Sequence, residues 1–196
     1  MRWVVLALIS SLVLLRALPS HAATVSGTIQ IGSARAEGAV VYLENTQPAL
    51  YQLRHAHAVI DQKDLAFVPR VLPVVRGTVI EFTNSDNVLH NVFTPSAVAG
   101  KFDLGTYSQG EVRSITLNES GEVVILCNIH MEMEAHILVL KDPYFTVVAQ
   151  DGSYQIPAVP PGTYMLRVWH EHLLPHMQTL EVPASGTLTV DIQVER

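Results

Sequence analysis

Short segments in which apolar and polar residues alternate make up most of this chain. The clearest example lies near the C-terminus, where Leu188, Val190, Ile192 and Val194 occupy every second position. Strict alternation is typical of a β-strand with one face on a core, and no stretch of the sequence repeats its apolar residues at helical spacing. Turn-forming clusters such as residues 84–87 separate the segments. The sequence therefore predicts an all-β protein.

The composition indicates a folded chain and argues against nucleic acid as a partner. Hydrophobic residues make up 48% of the 196 residues and charged residues only 15%, which predicts a packed core rather than disorder. The formal net charge is −6 and the sequence contains no basic run. We therefore expect no nucleic-acid partner.

The N-terminus has the features of a secretory signal peptide. Arg2 supplies a positive start, residues 3–15 are apolar, and Ser20-His21-Ala22 offers a small-residue cleavage site. The apolar run is short for a membrane span, although the early position of Arg16 leaves an uncleaved anchor as the alternative. We expect residues 1–22 to be removed and the protein to be periplasmic or otherwise extracytoplasmic, without a stable membrane span after cleavage.

The single cysteine lies in the segment Cys127-Asn128-Ile129-His130-Met131-Glu132-Met133, directly after an apolar run at residues 123–126. A thiolate, an imidazole and a thioether this close together suit copper better than calcium or magnesium. A trigonal site of two imidazoles and one thiolate needs a second histidine, and His90 is the best upstream candidate. Met133 is the preferred axial sulfur, with Met131 as its rival. A metal bond would also protect an unpaired thiol in an oxidising compartment.

These residues resemble the ligand pattern of the cupredoxins, the blue-copper proteins. His90-Asn91-Val92 followed by Cys127-x2-His130-x2-Met133 has the short ligand spacing of amicyanin, and residues 60–140 are similar to plastocyanin-like domains often described as methylamine utilization proteins. The resemblance implies a Greek-key β-sandwich with one type 1 copper, bound by His90, Cys127, His130 and Met133. It also implies that Asn91 links the two ligand loops by hydrogen bonds.

The two ends of the chain resemble halves of a second, smaller β-sandwich. Asp151-Gly152-Ser153-Tyr154 and Pro161-Gly162-Thr163-Tyr164 are similar to carboxypeptidase regulatory-like, transthyretin-type modules, and the opening segment looks like the first half of the same module. We therefore predict a split sandwich at residues 23–54 and 142–196, with the cupredoxin domain at residues 55–141 inserted between its halves. The alternative is two domains in tandem.

Turn residues predict two β-hairpins and one edge strand. Residues 32–38 separate two alternating segments, and Gln150-Asp151-Gly152-Ser153-Tyr154 has the composition of a tight hairpin turn. We expect the strands that flank each turn to pair with one another. Pro73 predicts an edge strand at residues 71–75, because proline cannot donate a hydrogen bond to a sheet.

A second group of potential ligands occurs at residues 169–177, where His170, His172 and His176 lie close together in the sequence. His170 and His172 would share one face if this segment were a strand. The group is then a second copper or zinc site, or an entry site that hands copper over. The plainer interpretation is a polar loop.

The favoured function is electron transfer by an exported copper protein, with a cytochrome c, a dehydrogenase or an oxidase as the redox partner. No enzyme is expected, since the sequence contains no nucleophile elbow, no paired carboxylates and no phosphate-binding loop. Two alternatives stay open. One is a periplasmic copper-binding or copper-handling protein without a shuttle role, and the other is a red-copper enzyme with an open coordination position.

Overall fold

The computed structural model describes residues 22–32, 34–45 and 57–195, so the predicted signal peptide lies outside the described residues apart from Ala22. The described residues form strands and turns without a helix, which confirms the all-β prediction. In this part of the chain, no helical segment has the length and hydropathy that a membrane crossing needs. The strands are β1 (Ala23–Ile31), β2 (Ala34–Arg35), β3 (Val40–Asn45), β4 (His57–Lys63), β5 (Ala66–Val68), β6 (Val71–Val75), β7 (Val79–Asn84), β8 (His90–Thr94), β9 (Phe102–Tyr107), β10 (Val112–Thr116), β11 (Gly121–Leu126), β12 (Glu134–Leu140), β13 (Phe145–Val147), β14 (Ser153–Val159), β15 (Gly162–Trp169), β16 (His176–Val182), β17 (Gly186–Thr189) and β18 (Ile192–Val194).

The described strands form four sheets around two separate cores. One sandwich consists of the sheets β10-β7-β4-β5 and β6-β12-β11-β8-β9. The other consists of β14-β1-β17, with β2 and β18 also paired to β1, and β13-β3-β15-β16. The first core includes Ile60, Phe82, Val92, Ile125 and Ile137. The second core includes Val25, Ile29, Leu43, Tyr164 and Leu166.

Alternation in the sequence determines which face of each strand is buried. In β7, the side chains of Ile80 and Phe82 are fully buried, whereas Glu81 between them points to the other face and is partly exposed. Successive side chains of a strand point to opposite faces, so every second residue enters the core. Each fully buried side chain of this size contributes about 1.5–3 kcal/mol of transfer free energy.

The strands of the second sandwich come from both ends of the chain. Strand β1 pairs with β14, β17 and β18, and β3 pairs with β13 and β15. Among the described residues, strands β4 to β12 pair only with one another. An inserted domain requires this pairing. The insertion and its boundaries stay a prediction.

Both hairpin predictions are wrong about which strands pair. The first reversal forms a small hairpin between β1 and β2, but β3 lies in the facing sheet. The second turn is present, with Gly152 at φ 81° and its N–H donating to Ala149 O at 2.8 Å, but β13 and β14 belong to different sheets. Turn residues show where a chain reverses. They do not show whether the returning strand pairs in the same sheet or crosses the core.

Strand β12 is buried on both faces and lies between the two sandwiches. Ile137 and Val139 point into the first core. Leu138 and Leu140 point the other way and form a third cluster with Val40 of the second sandwich. A strand covered on both sides has a continuous apolar run instead of an alternating one. Strand β6 pairs with β12 at the edge of its sheet, which confirms the prediction from its proline.

Candidate metal centre

A short closed loop carries three of the four predicted copper ligands. Strand β11 ends directly before Cys127, and β12 begins directly after Met133. The loop is closed by hydrogen bonds from Cys127 N to Met133 O (3.3 Å) and from Met133 N to His130 O (3.0 Å). Cys127 and Met133 are 4% and 1% exposed. The closed loop therefore directs both sulfur-bearing side chains inward.

The fourth predicted ligand, His90, lies on β8, which pairs with β11 in the same sheet. Its side chain is fully buried. The Nδ1 atoms of His90 and His130 lie 3.1 Å apart, and the ring centroids lie 4.8 Å apart. One ligand atom from each of His90, Cys127 and His130 lies within 4.8 Å of the other two. The fold thus brings together three residues that are separated by up to forty positions in the sequence.

Asp86 fixes the orientation of His90 and was not among the predicted site residues. Its Oδ2 lies 2.8 Å from His90 Nε2. Burial would raise the pKa of Asp86, but hydrogen bonds from the Leu65 N–H, from His90 and from the Asp64 N–H together lower that pKa below its usual value. The carboxylate can therefore only accept, so the His90 proton is on Nε2. The only sign of this role in the sequence is that a carboxylate lies four residues before the predicted histidine ligand.

The two histidine side chains are spaced to share one metal ion. With the proton on Nε2, the Nδ1 atom of His90 directs a lone pair towards His130 Nδ1. Two metal–nitrogen bonds of about 2.0–2.1 Å that meet at about 100° span about 3.1 Å, close to the separation of the two Nδ1 atoms. With a neighbouring thiolate and a thioether, this donor set fits copper.

The structure separates the two candidate axial methionines. Met133 is 1% exposed and packs in the core of the first sandwich beside Cys127. Met131 is 91% exposed. A thioether in solvent contributes nothing to a buried site, so Met133 is the methionine in position to act as the axial ligand.

Asn91 connects the two segments that carry the ligands. Its side chain is 1% exposed. Its Oδ1 accepts a long hydrogen bond from Asn128 N (3.4 Å), and its Nδ2 donates to Asp103 Oδ1 (2.7 Å). The first contact joins β8 to the cysteine loop, as the resemblance implies for this position. The second holds the amide in the orientation that makes the first contact possible.

Exposed apolar side chains lie next to both histidines in the chain. Val88 and Leu89 precede His90, and Ile129 and Met131 flank His130. Their exposed fractions are 46%, 53%, 43% and 91%. His130 itself is partly exposed, whereas His90 is buried. The imidazole of His130 is therefore the predicted ligand nearest to solvent. We call the exposed residues Val88, Leu89, Ile129 and Met131 the apolar rim.

The predicted histidine group at residues 169–177 does not form a site of its own. Strand β15 ends at Trp169, so His170 and His172 lie in a turn and do not share a strand face. The His172 side chain is 73% exposed. Among the described residues, His170, His172 and His176 do not form a three-ligand group. In this turn, the residue that joins a group of potential metal ligands is Glu171, together with Glu134 and His136. Nothing in the sequence indicates this, because those two residues lie far from Glu171 in the chain.

No known protein family and no curated protein matches the sequence. Among solved structures, the chain is similar to a copper-containing nitrite reductase from Thermus scotoductus SA-01, at 25% identity over 52% of this chain and 25% of that chain, with a TM-score of 0.42. It thus spans a quarter of that reductase. It is also similar to a purple cupredoxin from Nitrosopumilus maritimus, at 20% identity over 42% of this chain and 99% of that chain, with a TM-score of 0.38. It is similar to a reduced amicyanin variant as well, at 20% identity over 51% of this chain and 98% of that chain, with a TM-score of 0.42.

Proposed function

We propose that this chain is an exported copper protein that transfers single electrons between redox partners. The observation that carries the proposal is the convergence of His90 Nδ1 and His130 Nδ1, 3.1 Å apart, beside the buried Cys127. Bound copper would supply a one-electron couple between its cupric and cuprous states. His90, Cys127, His130 and Met133 would hold it, and no substrate chemistry is required of the protein.

The residues around the site keep its shape constant. Asp86 holds the His90 ring, and Asn91 ties β8 to the cysteine loop. The hydrogen bonds between Cys127 and Met133 close that loop on itself. A donor set held in place by a packed core reorganises little when an electron arrives or leaves, which favours rapid transfer. Burial also keeps the thiol of Cys127 away from oxidants.

The apolar rim provides a docking surface for a redox partner. The rim consists of Val88, Leu89, Ile129 and Met131, which are all exposed. Apolar surface around the partly exposed imidazole of His130 would let a partner protein approach this ligand closely and exclude water from the contact. A cytochrome c, a dehydrogenase or an oxidase would suit this role. His130 would then be the point at which electrons enter and leave.

Metal analysis with a visible spectrum of the purified full chain tests the proposal. We expect one copper per chain and an intense thiolate-to-copper absorption band. Cys127→Ser should abolish the intense band because the thiolate is its source. Met131→Leu, which changes an exposed neighbour, should leave both the band and the copper content unchanged. A wild-type protein that binds no copper, or a C127S variant that keeps the band, would refute the assignment.

A copper-handling role is the second candidate, because the fully exposed Met131 offers a thioether next to the site. An exposed soft ligand can receive a cuprous ion before it reaches a buried site. Stoichiometry and colour separate the two roles, since a handling protein would bind several weakly coloured coppers. Electron paramagnetic resonance of the cupric form would identify a red-copper enzyme by its hyperfine splitting.

Export is part of the proposal and has its own test. Strand β1 begins at Ala23, directly after the proposed cleavage site, so removal of residues 1–22 would leave the second sandwich complete at this edge. We expect the protein from the extracytoplasmic fraction to start at Ala23 by N-terminal sequencing. Recovery of the uncleaved chain from the membrane fraction would support the anchor instead.

A further inference from the structure

A polar cluster lies where the two sandwiches meet. Glu134 and His136 project from the face of β12 that turns towards the second sandwich, and Glu171 reaches them from the turn after β15. One ligand atom from each of these three residues lies within 4.8 Å of the other two. Each sandwich therefore contributes to a single group of potential metal ligands.

His136 is the central member of the cluster, and one of its nitrogens has no hydrogen-bond partner. The residue is 4% exposed, and its Nδ1 lies 2.9 Å from Glu122 Oε1. Its Nε2 lies 2.9 Å from Glu134 Oε1 and 2.9 Å from Glu171 Oε2, yet makes no hydrogen bond to either. A buried polar atom without a partner indicates a missing group, such as an ion or a water.

The contacts of His136 define the role of each nitrogen. The Glu122 carboxylate accepts a hydrogen bond from Nδ1, so Nε2 is the nitrogen that can bind a cation. Nε2 lies between two carboxylate oxygens, which favour a positive charge at this point, carried by a proton or by a metal ion. A carboxylate that orients a histidine from behind is the usual support of a metal-binding imidazole.

The charge of the cluster also calls for a cation. Glu122, Glu134 and Glu171 supply three carboxylates, and the nearby cation is Arg70, which pairs with both oxygens of Glu171. Arg70 compensates one of the three carboxylate charges, which leaves two. A divalent ion would balance them.

We propose that Glu134, His136 and Glu171 bind a divalent cation of the zinc type, which links the two sandwiches. One imidazole nitrogen and two carboxylate oxygens are ligands that zinc takes in proteins, and a water would complete a tetrahedral set. Glu122 is a positioning residue that orients His136, and Arg70 positions Glu171. The site requires no copper at Cys127.

A cleft gives the site a route to solvent. It has a volume of about 300 Å³ and is lined by Glu122, Trp169, Glu171 and His176, among others. Two of these residues are the positioning carboxylate and a ligand carboxylate of the proposed site. The cleft opens the Glu171 side of the cluster to solvent, and the Glu134 side chain is itself 42% exposed. The carboxylates are therefore accessible to an ion.

The test uses the full chain with the first site disabled by Cys127→Ser and His130→Ala. Zn²⁺ is titrated by calorimetry, and Co²⁺ is added as a spectroscopic probe. We expect one Zn²⁺ per chain, a tetrahedral Co²⁺ spectrum and a rise in melting temperature with Zn²⁺. Glu171→Gln and His136→Asn in this background should weaken Zn²⁺ binding at least tenfold and remove the thermal shift. His172→Asn, which alters an exposed neighbour of Glu171, is the matched control and should bind normally.

Three outcomes would overturn the proposal. The background protein binds no Zn²⁺, E171Q binds within twofold of the background, or H172N weakens binding as much as E171Q does. If H136N fails to fold, E171Q decides alone, because glutamine keeps the shape of the side chain and one of its two acceptors for Arg70. Since the first site is disabled throughout, failure here leaves the copper proposal intact.

Discussion

At the scale of single residues, Asp86 orients His90, the most deeply buried of the proposed copper ligands. Its carboxylate holds His90 Nε2 at 2.8 Å and is itself held by two backbone N–H groups of residues 64 and 65. This arrangement both selects the tautomer of His90 and makes its Nδ1 a better donor. Asp86 would therefore affect a bound metal ion without contacting it.

Asp86→Asn tests this control. Asparagine keeps a carbonyl acceptor but loses the charge, so the fixed tautomer and the added basicity of His90 are both weakened. We expect copper affinity to fall about 10- to 100-fold, measured by competition with a chelator. Asp64→Asn is the control, because Asp64 contacts Asp86 through its backbone only. Equal losses in both variants would show that the charge of the loop, and not the contact with His90, matters.

The two methionines of the copper loop make opposite predictions. Met133 is buried next to Cys127, and Met131 is in solvent. A weak axial sulfur tunes the reduction potential, and leucine keeps the volume of methionine without the sulfur. We expect Met133→Leu to raise the midpoint potential measured by voltammetry and Met131→Leu to leave it unchanged. The reverse result would make Met131 the axial ligand.

Asp142 makes the stability of the fold depend on pH. Burial, together with the charge of Glu44, raises the pKa of Asp142, against a hydrogen bond from the Asn45 N–H at 2.9 Å. The folded state therefore binds the proton more tightly than the unfolded state, whose pKa is about 3.9. Between these two pKa values, the contribution of Asp142 to stability is lost as the pH rises.

Asp142→Asn removes this dependence and keeps an acceptor for Asn45. We expect the stability of D142N relative to the wild type to increase as the pH rises from about 4 towards neutrality, and then to level off. Urea unfolding of both proteins at a series of pH values measures this difference in the free energy of unfolding. A constant difference across the series would contradict the raised pKa.

At the scale of elements, the structure shows what strand patterns can and cannot specify. Alternation in β7 and β15 matches their buried faces, since the solvent or core side of a strand is encoded in its own residues. Partner strands are not encoded in this way. The crossings from β1 to β3 and from β13 to β14 depend on contacts with residues more than a hundred positions away, which no local pattern reports.

Gly27 of β1 is required by a close approach of another segment. A Cβ atom at this position would lie 2.0 Å from Val190 O, and Val190 N donates to Ser26 O at 2.8 Å. The backbone of residue 190 would have to move to make room for a side chain. A glycine is therefore required at position 27, where β1 changes its pairing partner from β17 to β18 and residue 190 crosses close to its backbone.

Gly27→Ala is expected to destabilise the second sandwich by about 1–3 kcal/mol, as overpacking against a rigid neighbour does. The free energy of unfolding in urea measures the effect. Ser26→Ala, one residue earlier on the same strand, is the control and should change it by less than about 0.5 kcal/mol. A G27A variant as stable as S26A would mean that the segment at residue 190 moves freely.

At the scale of the whole molecule, the two sandwiches are joined by one face of β12. Leu138 and Leu140 on this face are 5% and 4% exposed, and they contact the second sandwich rather than the core of their own. The ligand loop was evident from the sequence because its donors lie close together. This interface was not, because Glu134, His136 and Glu171 are ordinary residues until the fold assembles them.

Leu138→Ala should weaken the contact between the sandwiches. We expect a loss of about 2–5 kcal/mol and separation of the calorimetric unfolding transition into two, because the side chain links the sandwiches. Ile137→Val, on the other face, should lower the melting temperature without such separation, because Ile137 packs within the first core. Identical melting profiles for the two variants would show that Leu138 does not link the sandwiches.

Met133 and Glu134 are joined by a single peptide unit, yet the first packs beside Cys127 and the second faces the neighbouring sandwich. A movement of the second sandwich that displaces the Glu134 carboxylate would therefore be passed to the backbone of Met133. The distance from the Met133 thioether to a bound copper ion would then change with the relative position of the two sandwiches, and the visible spectrum of the copper would change with it.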